Sequence, residues 1–164
     1  MEHLAGLAGF FAGHGIWCVA DGRALTPLIA WEGIGGKRQV VHLQDDPVDE
    51  AVRRGRDWLR DNPERAARAV LLSEVRDPDP GGRLGGLRIE ARWYDPAPAA
   101  MTITVPFRRR GDGIDGFEPL APRFELPELA SATLRRVLEE SFLAGLQQHE
   151  QGAPIWNARY RAPD

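Results

Sequence analysis

One cysteine, Cys18, and four histidines, His3, His14, His42 and His149, are the side chains best suited to nucleophilic or proton-transfer chemistry in this sequence. A Cys–His pair works when the thiol lies within about 3 Å of an imidazole nitrogen that can take its proton. Whether His14 or His42 can serve Cys18 depends on the elements that carry them. Asp21-Gly22 stands between two apolar runs, and both positions tolerate positive φ, so the local reading is a two-residue hairpin turn joining strands of about 14–20 and 23–32. That turn pairs His14 with Ile29, Ile16 with Pro27 and Cys18 with Leu25. A four-residue loop at 33–36 then pairs Ile29 with Val40 and Pro27 with His42. In this register the three side chains share a face. His14 and Cys18 nevertheless stand roughly 13 Å apart along their strand, and His42 roughly 12 Å from either. The expectation is therefore that no Cys–His dyad forms, that Cys18 is a small core residue, and that the chain has no assigned catalytic residue.

Metal and phosphate chemistry find no better footing. There is no H-x-x-x-H or C-x-x-C spacing, and one cysteine supplies neither a multi-Cys zinc site nor an intramolecular disulfide. Gly33-Ile34-Gly35-Gly36-Lys37 is too short for a phosphate loop, has Arg38 where Ser or Thr should follow, and leads into a strand, so it reads as a hairpin loop. No metal and no cofactor are expected.

The densest basic cluster is Arg108-Arg109-Arg110, followed by Gly111-Asp112-Gly113. Three guanidinium groups at the end of a strand are the strongest candidate contact for a phosphate, a carboxylate or an acidic partner. The five tryptophans supply the other candidates. Trp58 and Trp93 fit core faces. Trp17 and Trp31 fall on opposite faces in the hairpin register, and Trp156 lies in the C-terminal segment. Trp17, Trp31 and Trp156 are thus candidate contact residues, because aromatic side chains off the core are enriched at interfaces.

These residues must be positioned by the elements around them. A strand follows at about 37–44. Asp46-Pro47-Val48-Asp49 then opens a helix whose apolar spacing runs through Val48, Val52, Gly55 and Leu59 to a stop at Asn62-Pro63. Residues 67–75 read as a strand. Two strongly alternating strands come next, one placing Leu87, Ile89, Ala91 and Trp93 on a face, the other Met101, Ile103, Val105 and Phe107. Pro106 lacks an N–H, so its strand lies at an edge or bulges there. A stretch over 111–126 reads as extended and irregular. A helix over about 128–150 carries the stripe Leu134, Val137, Leu138, Phe142, Gly145 and Leu146, and residues 151–164 form a tail. The order β-β-β-α-β-β-β-α predicts an α+β fold: a mainly antiparallel sheet of about six strands with two helices packed on one face.

The totals agree with one domain over 1–164. A chain of 164 residues buries enough surface to fold without disulfide or metal. Its net charge of −3 makes no strong field for polyanions, and its twenty arginines against one lysine are matched by 24 acidic residues, so nucleic acid is not an expected partner. The apolar stretch 4–20 lacks a preceding Lys or Arg and is broken by glycines and His14, which fits neither a signal peptide nor a membrane span; it reads as a short N-terminal helix or coil entering a buried strand. A cytoplasmic protein is expected. The N-terminal hairpin and mixed architecture resemble those of small bacterial proteins of unknown function; small acidic α+β proteins of this type include secretion chaperones and immunity or regulatory partners, a likeness of fold class only. The function expected is a non-catalytic binding or interaction module, homo-oligomeric or bound to a protein partner. The alternative is a small-molecule enzyme assembled from dispersed groups such as His14, His42, Asp21, Glu32 and the arginines.

Overall fold

The short N-terminal helix is longer than expected: α1 runs over Glu2–Val19 and takes in the residues read as the first arm of a hairpin. The computed structural model describes residues 1–44, 47–76, 84–111, 113–126 and 131–161. Leu4, Ala5, Ala8, Ala12 and Ile16 of α1 have no exposed surface at all. A helix apolar around most of its circumference is stable only when covered on several sides. Here the sheet covers one side, with Leu72 and Leu87 against Gly15, and a second helix covers the other. The strand expected at 14–20 is therefore corrected. The Asp21-Gly22 signal is real, since Gly22 has φ +95° and its N–H donates to the Val19 carbonyl at 3.0 Å. Helix exits and hairpins both want positive φ, so the same residue pair serves either.

The sheet is built from β1 (Leu28–Glu32), β2 (Arg38–His42), β3 (Arg68–Arg76), β4 (Leu84–Trp93), β5 (Ala99–Arg109), β6 (Phe117–Pro119) and β7 (Arg123–Glu125). Its order is β2-β1-β3-β4-β5-β6, with β7 also on β5, and every pairing is antiparallel. The remaining helices are α2 (Val48–Asp61), α3 (Ala132–Gln147) and α4 (Gly152–Arg159). The mixed α+β class and the antiparallel sheet stand as read from the sequence, with seven strands and four helices among the described residues. The β1–β2 register is one step off the expected one: Ile29 faces Val41 and Leu28 faces His42, because the loop takes five residues, 33–37. The tail is not a tail, since Gly152–Arg159 forms α4. The predicted helix start at 128 and the Asp46 cap fall on residues outside the described ones.

The helices divide between the two faces of the sheet. Leu28, Ala30, Val70, Leu72, Leu87, Ile89, Met101, Ile103 and Val105 face α1, with α3 and α4 beyond it. Ile29, Trp31, Ala69 and Leu71 face the other way, against Ala51 and Leu59 of α2. Packing of both long helices on one face is thus corrected. The reason is legible in β1, whose five residues are all buried, as continuous apolar runs are in sheets covered on both sides. In β4 and β5 the expected alternation holds.

Helix α1 meets α3 and α4 along a glycine seam. A Cβ at Gly9 would lie 1.8 Å from the Phe142 carbonyl oxygen, one at Gly145 1.9 Å from that of Gly6, and one at Gly152 2.1 Å from that of Gly13. Backbones approach this closely only where no side chain stands between them. The seam holds α1 in its middle layer, and so holds His14 and Cys18. Among the described residues no helix is long and apolar enough to cross a membrane.

Candidate functional site

Strand β5 ends beside two short strands that pair with it in separate ladders, β6 over Phe107–Arg109 and β7 over Thr102–Thr104. Pro106 lies between them. Its carbonyl accepts from the Leu120 N–H at 2.8 Å, so its missing donor faces the same side, where the two ladders break. The link from β6 to β7 bulges there and walls a cleft of about 790 Å³, closed at its far side by the end of α4. That size suits a ligand rather than a lone ion.

The cleft gathers five arginines, Arg108, Arg110, Arg123, Arg159 and Arg161, against two carboxylates, Asp115 and Glu118. Arg110 is paired with Glu118 at 2.8 Å, and Arg159 with Asp115. Arg108, Arg123 and Arg161 make no ion pair with any described residue. Both Arg108 and Arg123 are exposed on strands whose backbones are held by the sheet. Between the charges lie Pro106, Leu120 and Pro122, so the lining is mixed.

The run Arg108-Arg109-Arg110 is split by the strand's own pleat, which sends neighbouring side chains to opposite faces. Arg108 and Arg110 enter the cleft. Arg109 turns to the core side, where its guanidinium donates to the Val19 carbonyl at the end of α1 and lies over the rings of Phe107 and Phe117, at 5.2 and 5.6 Å. It is a helix-end ligand, favoured by the negative pole there. Among the tryptophans, Trp156 is buried and stacked on Tyr160 at 4.4 Å, and Trp31 is buried against Trp58 at 5.1 Å. Both are core residues and not contacts. Trp17 is 40% exposed. Arg123, Arg159 and Arg161 were not singled out by sequence reasoning. They are isolated in the chain and converge only through the β6–β7 link and α4.

No match to this chain is found among protein-family models, curated proteins or solved structures.

Nearer the β2 edge, the C-terminal end of α1 carries a second constellation. His14 and Cys18 are one helical turn apart, which puts Cys18 Sγ 3.5 Å from His14 Nε2. The separation expected on a strand is thereby overturned: four residues span about 6 Å on a helix and twice that on a strand. The His42 ring lies 6.2 Å from that of His14, and the His149 ring 5.5 Å. Burial raises the Cys18 thiol above its usual value and lowers His14 below its own, with the nearby His149 and His42 adding to the second effect. His149 is also lowered by burial, and its Nδ1 accepts the Gly152 N–H at 3.0 Å, which leaves the ring proton on Nε2. Among the described residues no three His, Cys, Asp or Glu side chains are arranged to hold a metal ion.

Two further groups named as raw material for an enzyme are tied up structurally. Glu32 is buried and accepts from Arg38 at 2.8 Å and Arg68 at 2.6 Å. Asp21 is paired with Arg23 at 2.9 Å on the surface, and that pairing lowers its carboxyl below the usual range.

Proposed function

We propose that the protein is a binding module whose arginine-lined cleft takes an acidic segment of a protein partner. The observation that supports it is the excess of three positive charges in one concave cleft of a chain whose net charge is −3. Guanidinium forks bind carboxylates in bidentate geometry, and each such charge-assisted contact is stronger than a neutral one. Pro106, Leu120 and Pro122 offer apolar contact beside them, which suits a peptide with mixed side chains better than a free anion. Fluorescence anisotropy with a labelled peptide alternating glutamate and leucine tests the reading. Binding should weaken with added salt and drop on Arg108→Glu. Equal affinity for the wild type and the variant would overturn it.

Self-association is a second reading, favoured by the sheet edge. Every residue of β2 is exposed, Val40 and Val41 are 43% and 47% exposed on its two sides, and β2 ends the strand order. An uncovered edge with apolar side chains is a template for pairing with a second copy. Sedimentation should show a dimer that Val41→Lys dissociates. A monomer at every concentration would remove this reading and leave the cleft untouched.

A further inference from the structure

The pocket beside Cys18 has the parts of a covalent site. Its cavity of about 150 Å³ is lined by His14, Trp17, Cys18, Ala24, Leu25 and Thr26, with His42 and Arg23 at its rim. The sulfur is only partly buried, so a small molecule in the cavity can reach it. His14 Nε2 is the nitrogen that faces the thiol, and its ring is held in place by Phe11, Trp17 and His149, at 6.4, 5.7 and 5.5 Å. Arg23, the one arginine or lysine among the described lining residues, is neutralised by Asp21.

We propose that Cys18 is a nucleophile and His14 its proton acceptor, in a pocket that accepts a short, uncharged acyl group from an activated ester or thioester. The size of the cavity and the Trp17, Ala24 and Leu25 walls set that choice. The groups that face His14 are His42 from β2, His149 from the α3–α4 link, and Phe11, Trp17 and Cys18 from its own helix. Among the described residues none of these is an anion, and the resting pair is a thiol beside a neutral imidazole.

Attack by Sγ on the acyl carbon forms the S–C bond while the thiol proton passes to His14 Nε2. The bond from that carbon to the leaving oxygen or sulfur breaks, its electron pair stays with the leaving group, and the leaving group takes the proton from His14. The acyl group is then a thioester on Cys18. A water molecule gives a proton to the same nitrogen and attacks the thioester carbon. The C–S bond breaks, the proton returns to Sγ, and a carboxylic acid leaves. Water is the only co-reactant.

The test uses the full chain and p-nitrophenyl acetate, reading p-nitrophenolate release and the acetylated peptide by mass spectrometry. The expected result is acetylation at Cys18, lost in Cys18→Ala. His14→Gln should slow it by about a hundredfold or more, whereas His42→Gln should change it by less than tenfold. The pH profile carries the decisive signature. Wild type should rise through an ionisation below 6.5, the ordinary histidine value, and then level off, while His14→Gln should keep climbing toward the ionisation of the thiol. Should His14→Gln fail to fold, the wild-type profile decides alone. Acetylation confined to Lys37 or the N-terminus, equal rates in wild type and His14→Gln, or a wild-type rate that climbs without levelling would each overturn the proposal.

Discussion

At the β5–α4 end five guanidinium groups and two carboxylates share a cleft of about 790 Å³, whereas at the C-terminal end of α1 a thiol and a neutral imidazole share about 150 Å³. The first region keeps its charges in water, on strand and helix ends, where their cost is low and their reach is long. The second withdraws its groups from water, which suppresses the charged form of each. Charge held in the open suits recognition, since a partner can be drawn to it and can leave. Half-buried groups whose neutral forms are favoured, set 3.5 Å apart, suit proton transfer between them. Arg109 joins the regions physically, reaching from the strand that carries Arg108 and Arg110 to the Val19 carbonyl at the end of the helix that carries His14 and Cys18.

The contrast can be broken most forcefully at the glycine seam that both regions depend on. Gly145→Ala puts a methyl group about where the Gly6 carbonyl oxygen stands, 1.9 Å from the ideal Cβ, and neither backbone can yield without parting the helices. The expected loss is about 3 kcal/mol or more, read as a lowered midpoint in urea denaturation. Both regions should be lost in one transition. Survival of cleft binding after α1 has come loose would show that they fold separately.

The double variant Arg108→Glu/Arg123→Glu sharpens the contrast from the other side. It reverses two of the charges that have no ion-pair partner among the described residues and should weaken binding of the acidic peptide by about a hundredfold, or about 2.7 kcal/mol. Acetylation of Cys18 should not change. A parallel loss of both activities would mean that the two regions are one site.

Acid should act on the enclosed region first. His14 and His149 have lowered pKa values, mainly because burial disfavours the imidazolium. The fold thus holds both rings neutral. Their contribution is complete above the unfolded value of 6.5, is lost as pH falls through the window below it, and stops falling once the folded values are passed. The melting temperature should drop through that window, and His149→Gln should flatten the drop. A melting temperature independent of pH between about 7 and 5 would show that the rings are solvated.

The smallest effect serves as a control. The Tyr94 hydroxyl donates to the Leu59 carbonyl at 2.6 Å, ties α2 to the opposite face of the sheet, and has its pKa pushed up to about 12 by burial. Tyr94→Phe should cost about 1 kcal/mol of stability and leave peptide binding and Cys18 acetylation as they were.

Much of the sheet was legible from residue patterns. The alternation in β4 and β5 marks a core face, Asn62-Pro63 marks the end of α2, and Pro106 marks a break in pairing, because each rests on neighbours one or two positions away. The Arg108–Arg110 cluster was visible for the same reason. Its division into two cleft residues and one helix-end ligand follows from the pleat, yet the arginines that complete the cleft lie far off in the chain. The seam was hidden too, because glycines in an apolar run read as interruptions of a helix until a second backbone is placed against them.

What the residue order determined by itself is therefore local: an antiparallel α+β framework, a turn at Asp21-Gly22, and an arginine cluster at the end of a strand. The state of residues 14–20 was decided only by tertiary structure. Their apolar run and the positive-φ turn after it are locally compatible with a strand or a helix, since so short an apolar run sets no decisive period. Covering the run on one side by the sheet and on the other by α3 and α4, through glycines that admit backbone contact, makes the helix the stable choice. That choice sets the His14 ring and the Cys18 thiol, both only partly buried, 3.5 Å apart on one helix face.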